Sequence, residues 1–147
     1  MRKKCKRKVW KLINPIKHAI DGASICTAET LAPLQTRELA AIEAFRIGKA
    51  TTQEWSDIVN MMNVTEHMAF RGVGPEAKQC CHDVYLHLIA AAKRYKTTRK
   101  MGTTGEGLQC FRDLYEWHNL QRTAVSRSEY ERHIQETVNR IRSGAPE

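Results

Sequence analysis

The chain has 147 residues, 41% hydrophobic and 27% charged, which suits one folded domain and is too apolar for a wholly disordered chain. No run of ~18 apolar residues occurs, so a transmembrane helix is excluded, as are a collagen-like chain and a long multidomain enzyme. The formal net charge of +8 is one-sided: eight of the 24 basic residues lie within residues 1–17, where no acid occurs, and the other 16 balance all 16 acids.

Residues 1–14 read as a basic flexible arm, and residues 15–147 as a single helical domain. The arm carries Arg2, Lys3, Lys4, Lys6, Arg7, Lys8 and Lys11, with Trp10 among them. Such a block repels itself and gains little from folding alone. It suits a polyanion, which it would bind through counterion release largely without reading sequence. A solubilising tail is the plainer alternative. An anionic membrane surface is a third, because Val9, Trp10, Leu12, Ile13 and Ile16 place apolar anchors beside the charges. The segment does not suit a secretion signal, because Lys11, Asn14, Pro15 and Lys17 interrupt its apolar stretch. A cytoplasmic location is expected. Cys5, Cys26, Cys80, Cys81 and Cys110 are odd in number and show no recurrent pairing, so free thiols are expected.

Strand signals are scarce and helix punctuation is abundant. A short helix is expected from Pro15 to Asp21. The next stripe spans about Leu34–Ile47, with Leu39, Ile42 and Phe45 on one face and Gly48 at its end. Thr51 and Glu54 form a capping-box pattern ahead of a helix to about Arg71, with Trp55, Ile58, Met62, Thr65 and Ala69 inward. Gly72 suits the C-terminal glycine of that helix and Pro75 the first turn of the next. The helix from Pro75 to about Lys96 aligns Cys81, Val84, Leu88, Ala91 and Tyr95. Thr103 and Glu106 form a second box ahead of a helix to Ala124, with Leu108, Phe111, Tyr115 and His118 on one face. Ser126 and Glu129 form a third, ahead of a helix over Arg127–Arg142 with Tyr130, Ile134, Val138 and Ile141 inward. The fold expected is an all-α bundle of four or five helices with a short N-terminal helical turn and the basic arm. The short 71–75 connection predicts a helical hairpin.

Candidate chemistry is thin. Cys80, Asp83 and His87 share a helix face at i, i+3 and i+7, but a structural zinc site needs four ligands, usually in close pairs. The plainer reading is a helix with packed thiols and a polar edge, so no metal and no cofactor are expected. His118 suits a hydrogen-bonded core residue better than a general base, and Glu66 with His67 is a similarly weak pair. The Gly72–Gly74 turn lacks the lysine and hydroxyl of a phosphate loop. Lys93, Arg94, Lys96, Arg99 and Lys100 form a second basic cluster near a helix end. They complement the helix dipole and, joined to the arm, would extend a phosphate-binding path. Trp10 and Tyr95 would add stacking surfaces for bases. No catalytic residue is expected.

A further set of segments resembles a group of small accessory proteins encoded by temperate phages and prophages of proteobacteria. These segments are Asn14-Pro15, Glu38-Leu39-Ala40-Ala41-Ile42, Ala50-Thr51-Thr52-Gln53-Glu54-Trp55 and Asn63-Val64-Thr65-Glu66. Gly72-Val73-Gly74-Pro75, Glu116-Trp117-His118 and Glu129-Tyr130-Glu131-Arg132 extend the pattern over most of the chain. The resemblance implies a phage accessory role and carries no catalytic residue; the cysteines lie outside it. Two functions follow as expectations. One is a non-enzymatic protein that binds nucleic acid or a nucleoprotein. The other is a host-directed inhibitor of a defence complex, in the manner of an anti-CRISPR protein, meeting a host protein through its helical surface. An exposed Trp55, Trp117 or Met61–Met62 surface would favour the second. A spare apolar face would also support a homodimer.

Overall fold

A computed structural model describes residues 28–144. The basic arm and the Pro15–Asp21 helix therefore lie outside the described residues, as do Cys5 and Cys26. Five helices follow in order: α1 (Ala28–Arg46), α2 (Thr52–Phe70), α3 (Ala77–Thr98), α4 (Gly105–Ala124) and α5 (Arg127–Ser143). The expected all-α bundle is observed, and no described helix is long and apolar enough to cross a membrane.

Short connections force chain neighbours to lie side by side. The α1–α2, α2–α3, α3–α4 and α1–α4 pairs enclose a four-helix core, and α2 also meets α4 across it. α2 packs against every other helix, and α5 docks mainly on its outer flank. The main core gathers Ile42, Phe45, Ile58, Met61, Val84, Leu88, Phe111 and Leu114 among its buried residues. Phe45 and Phe111 meet edge to face with ring centroids 5.1 Å apart. A smaller cluster of Leu31, Met68 and Tyr130 seats α5 against α2 and the start of α1.

Helix ends follow the local signals with two differences. Thr51 and Ser126 form the expected boxes: each side chain accepts from a backbone N–H, and Glu54 or Glu129 accepts from the cap residue's own N–H. The Thr103–Glu106 box does not form. Thr104 caps α4 instead, its Oγ1 accepting from Gly107 N at 3.1 Å, while the Thr103 hydroxyl is buried. The shift of one residue puts glycine three positions after the cap, so no side chain can reach back. α2 ends on Gly72 at φ +87, with Val73 N donating to Met68 O and Gly72 N to Ala69 O. This left-handed glycine closure joins Met68 and Val73 in one apolar contact. Pro75 sits in the turn before α3 rather than inside it; Ala77 N and Lys78 N donate to Gly74 O and Pro75 O.

α1 starts before the expected Leu34 and contains Pro33. The proline lacks an N–H and forfeits one early helical bond. Leu39 is 48% exposed and not a core residue; Ala41, Ile42 and Phe45 face inward. Steps of three residues drift around a helix of 3.6 per turn, so Leu39 and Phe45 sit about 120° apart. Ile141 is likewise 51% exposed near the end of α5, where only one side of the helix has a neighbour.

Candidate nucleic-acid interface

Two connections meet at one end of the bundle and build a basic cleft. The α1–α2 turn passes Gly48 at φ +70 and returns Lys49 N to Ala44 O at 2.9 Å. The α3–α4 connection runs beside it: Lys49 and Met101 form a parallel bridge, and Ala50 N donates to Met101 O at 3.1 Å. A Cβ on Gly102 would lie 3.1 Å from Gly48 Cα, so glycine at 102 permits the close crossing.

The cleft between them has a volume of about 730 Å³. Arg46, Lys49, Arg94, Arg99 and Lys100 line it, and none of the described lining residues is acidic. All five are exposed. Arg46 shares its charge with Glu43 through two bonds of 2.6 and 2.8 Å, and each partner holds the other's charged form. Arg94 Nη2 donates to Gly102 O at 3.3 Å, which leans its guanidinium across the second connection. Arg99 closes α3 in the left-handed region at φ +56, its N–H bonded to Tyr95 O. Its guanidinium lies 5.9 Å from the Tyr95 ring centroid. Thr98 Oγ1 accepts from Lys100 N at 3.2 Å and donates to Arg94 O at 2.8 Å, which fixes the turn that carries Arg99 and Lys100. The C-termini of α1 and α3 both end here, so part of this positive charge answers two helix dipoles.

The second basic cluster is thus split. Arg94, Arg99 and Lys100 line the cleft; Lys93 and Lys96 are exposed but do not line it. Arg46 and Lys49 join the cleft from a distant part of the chain and were invisible to a reading of local charge runs. Their only early signal is Gly48, which marks a turn. Arg2, Lys3, Lys4, Lys6, Arg7, Lys8, Trp10 and Lys11 lie outside the described residues.

Cys80, Asp83 and His87 do not converge. The Cys80 thiol points to Cys110 O at 3.9 Å, Asp83 accepts from Gln79 at 3.0 Å, and His87 borders Gly107. Burial pushes the Cys80 thiol up to about 12, helped by Asp113, so it stays protonated. Cys80, Cys81 and Cys110 are free thiols, as expected.

His118 is a core residue. Its Nδ1 is 3.0 Å from Thr65 Oγ1 and its Nε2 3.0 Å from Tyr130 Oη. Burial pushes its pKa down to about 3, and the Arg122 charge adds to that shift. A neutral imidazole with both nitrogens engaged joins helices; it is poorly placed to accept a substrate proton. Beside it, Arg122 is enclosed against Glu38, with Asn119 and Gln35 completing the network. Met61 and Met62 are buried, and Trp55 and Trp117 are half-buried, Trp55 Nε1 donating to Leu88 O at 3.2 Å. No family model, curated protein or solved structure matches the chain.

Proposed function

We propose that the chain is a non-enzymatic phage accessory protein that binds nucleic acid, alone or within a nucleoprotein. The observation that supports this reading is the cleft in which Arg46, Lys49, Arg94, Arg99 and Lys100 converge, with no acid among the described lining residues. Two chain connections separated in sequence bring these charges together, so the positive surface is larger than any local run provides. Phosphates placed between them would release counterions from both sides of the cleft. Tyr95, half-buried beneath Arg99, offers a ring edge for an unpaired base. The basic residues of the arm would extend the same path along the polyanion. The inhibitor reading lacks its expected anchors, since Met61 and Met62 are in the core and both α-helical tryptophans are half-buried.

The test is fluorescence anisotropy with duplex and single-stranded DNA and RNA across a salt series. The full chain is compared with Arg99→Glu/Lys100→Glu and with a truncation of residues 1–11. The expected result is tight binding with a salt slope of roughly −0.9 per duplex phosphate contacted. The charge reversal lowers affinity at least ~10-fold and flattens that slope, and the truncation removes most of the remainder. Absence of binding near physiological salt overturns the reading and turns attention to a host protein partner.

A further inference from the structure

The end of the bundle away from the basic cleft brings together two histidines and a glutamate. His67 lies in the last turn of α2, and His133 and Glu136 lie three residues apart on α5. That spacing puts both α5 side chains on one helix face, turned toward α2. His67 Nε2 is 2.9 Å from Glu136 Oε2. The His67 and His133 rings meet edge to face with centroids 5.6 Å apart. One ligating atom from each of the three lies within 4.8 Å of the others.

The two histidines are 2% and 5% exposed, which is rare for rings without a task in packing or binding. His133 Nδ1 is buried and has no hydrogen-bond partner among the described residues. A buried ring nitrogen left unpaired is costly, and most such atoms find a partner. A cavity of about 310 Å³ opens onto His133 and Glu136, with Arg71, Arg132 and Glu129 around its rim.

We propose that His67, His133 and Glu136 hold one divalent transition-metal ion, zinc by the chemistry of the donors. Two imidazoles and one carboxylate form a three-ligand set of the kind that leaves a fourth tetrahedral position to water. The cavity gives that water, or another small ligand, its place. Atoms bound to zinc lie about 3.3 Å from one another when each is 2.0–2.1 Å from the metal. The ion therefore takes the place of the proton between His67 and Glu136, widening that pair by a few tenths of an ångström and drawing His133 inward. The widening is open to Glu136, which sits half-buried on the helix edge. His133 moves with α5, a helix whose main support is α2 itself.

The surrounding charges act in opposite senses. Arg132 Nε is 3.7 Å from Glu136 Oε1, and Arg71 Nε is 3.8 Å from Oε2. With the ion on Oε2, Arg132 stays on Oε1 and orients the carboxylate from outside, as partners of metal-bound carboxylates do. Arg71 is about three-fifths exposed and is free to swing toward solvent. Glu129 on the rim adds negative charge. The two guanidiniums make this a weaker cation site than a four-ligand structural centre, and they favour an anionic fourth ligand. The site ties the end of α2 to the middle of α5, which no covalent link joins. Its three residues come from two helices: α5 supplies the His133–Glu136 pair at i and i+3, and α2 supplies His67.

The full chain, chelator-stripped and kept reduced, is titrated with zinc and with cobalt(II). The expected result is one equivalent bound per chain, with cobalt d–d bands of a four-coordinate site and no thiolate-to-cobalt charge transfer. Zinc also raises the melting temperature. Glu136→Gln and His133→Gln each weaken binding ~10-fold or more, whereas His82→Gln, an exposed histidine away from the site, leaves it unchanged. Glu136→Gln is the decisive variant because its half-buried position leaves the helix core intact, which circular dichroism checks. Failure to bind one equivalent at micromolar zinc overturns the proposal. So does a thiolate signature, or binding by Glu136→Gln and His133→Gln that equals the unaltered chain.

Discussion

Glu38 on α1 and Arg122 on α4 clasp each other across the bundle through two parallel bonds, Nη1 to Oε1 at 2.9 Å and Nη2 to Oε2 at 2.8 Å. The arginine side chain is fully enclosed and the glutamate nearly so. Burial works against the arginine charge, and the hydrogen bonds and charge of Glu38, joined by those of Tyr130, together outweigh it. Removing one partner leaves the other largely buried with its charge unpaired. Arg122→Ala is expected to cost about 3–5 kcal/mol in urea unfolding at pH 7. Replacing both with leucine is expected to cost less than either single change. If Arg122→Ala costs under about 1 kcal/mol, the pair is not enclosed as described.

Acid should weaken the fold through His118. The unfolded ring titrates near its ordinary value of about 6.5, whereas burial holds the folded ring down to about 3. Between those limits the unfolded chain binds a proton that the native chain does not. Stability is therefore complete above pH 6.5 and declines as pH falls toward 3. Over that span the loss amounts to about 4 kcal/mol. His133, lowered by burial first and by the nearby His67 second, acts in the same sense. Urea midpoints measured from pH 7.5 to 4 should fall steadily, and His118→Asn should flatten that slope whatever its effect at pH 7.5. An unchanged slope in the variant would remove His118 as the cause.

The start of α4 distinguishes two adjacent threonines. Thr104 caps the helix and Thr103 does not. Thr104→Ala is expected to cost about 1 kcal/mol. Thr103→Val keeps the shape and removes a buried hydroxyl that has no hydrogen-bond partner among the described residues, so it should be neutral or stabilising. Thermal melts of the two variants, compared with Ser126→Ala as a cap of known register, read this directly. Equal losses at 103 and 104 would restore the cap to Thr103.

That same threonine pair marks where local signals stop being sufficient. A Ser/Thr followed by Glu three residues on identifies a helix start within about one turn. Whether the first or second of two threonines caps depends on Gly107, which must be small because His87 of α3 lies against it. The stripe of α3 was legible because Cys81, Val84, Leu88 and Ala91 are all apolar and all buried. On α1 the stripe does not reveal that Leu39 is exposed, since apolar character alone does not say on which side of a drifting face the neighbour lies. Arg122 and Gln121 gave no sign of burial: each is buried only because another helix supplies its partner. Gln121 Nε2 donates to Thr65 O at 3.0 Å and Val73 O at 2.8 Å. The basic cleft was half legible, as the run from Arg94 to Lys100 was evident and Arg46 and Lys49 required the two connections to meet.

Gly107 should tolerate no side chain. A Cβ there would lie 2.0 Å from Thr103 Oγ1 and 2.8 Å from His87 Nδ1. Gly107→Ala is expected to destabilise by about 1–3 kcal/mol despite alanine's better helix propensity. Gly105→Ala, where nothing lies within 4 Å, should be stabilising or neutral by the same melt. If the two substitutions behave alike, the crowding at Gly107 is absent.

Because α5 leans mainly on α2, the main core can persist while that helix detaches. Its apolar seat is small, being mainly Tyr130 with Ile134 against Met68, Val64 and Leu31. Amide hydrogens of α5 should therefore exchange by a separate, lower-energy opening than those of α2 and α4. Each opening withdraws Tyr130 from His118 and admits water to the ring, so the histidine can take up a proton without global unfolding. Slow proton exchange at one buried ring thus becomes a clock for the coming and going of the last helix.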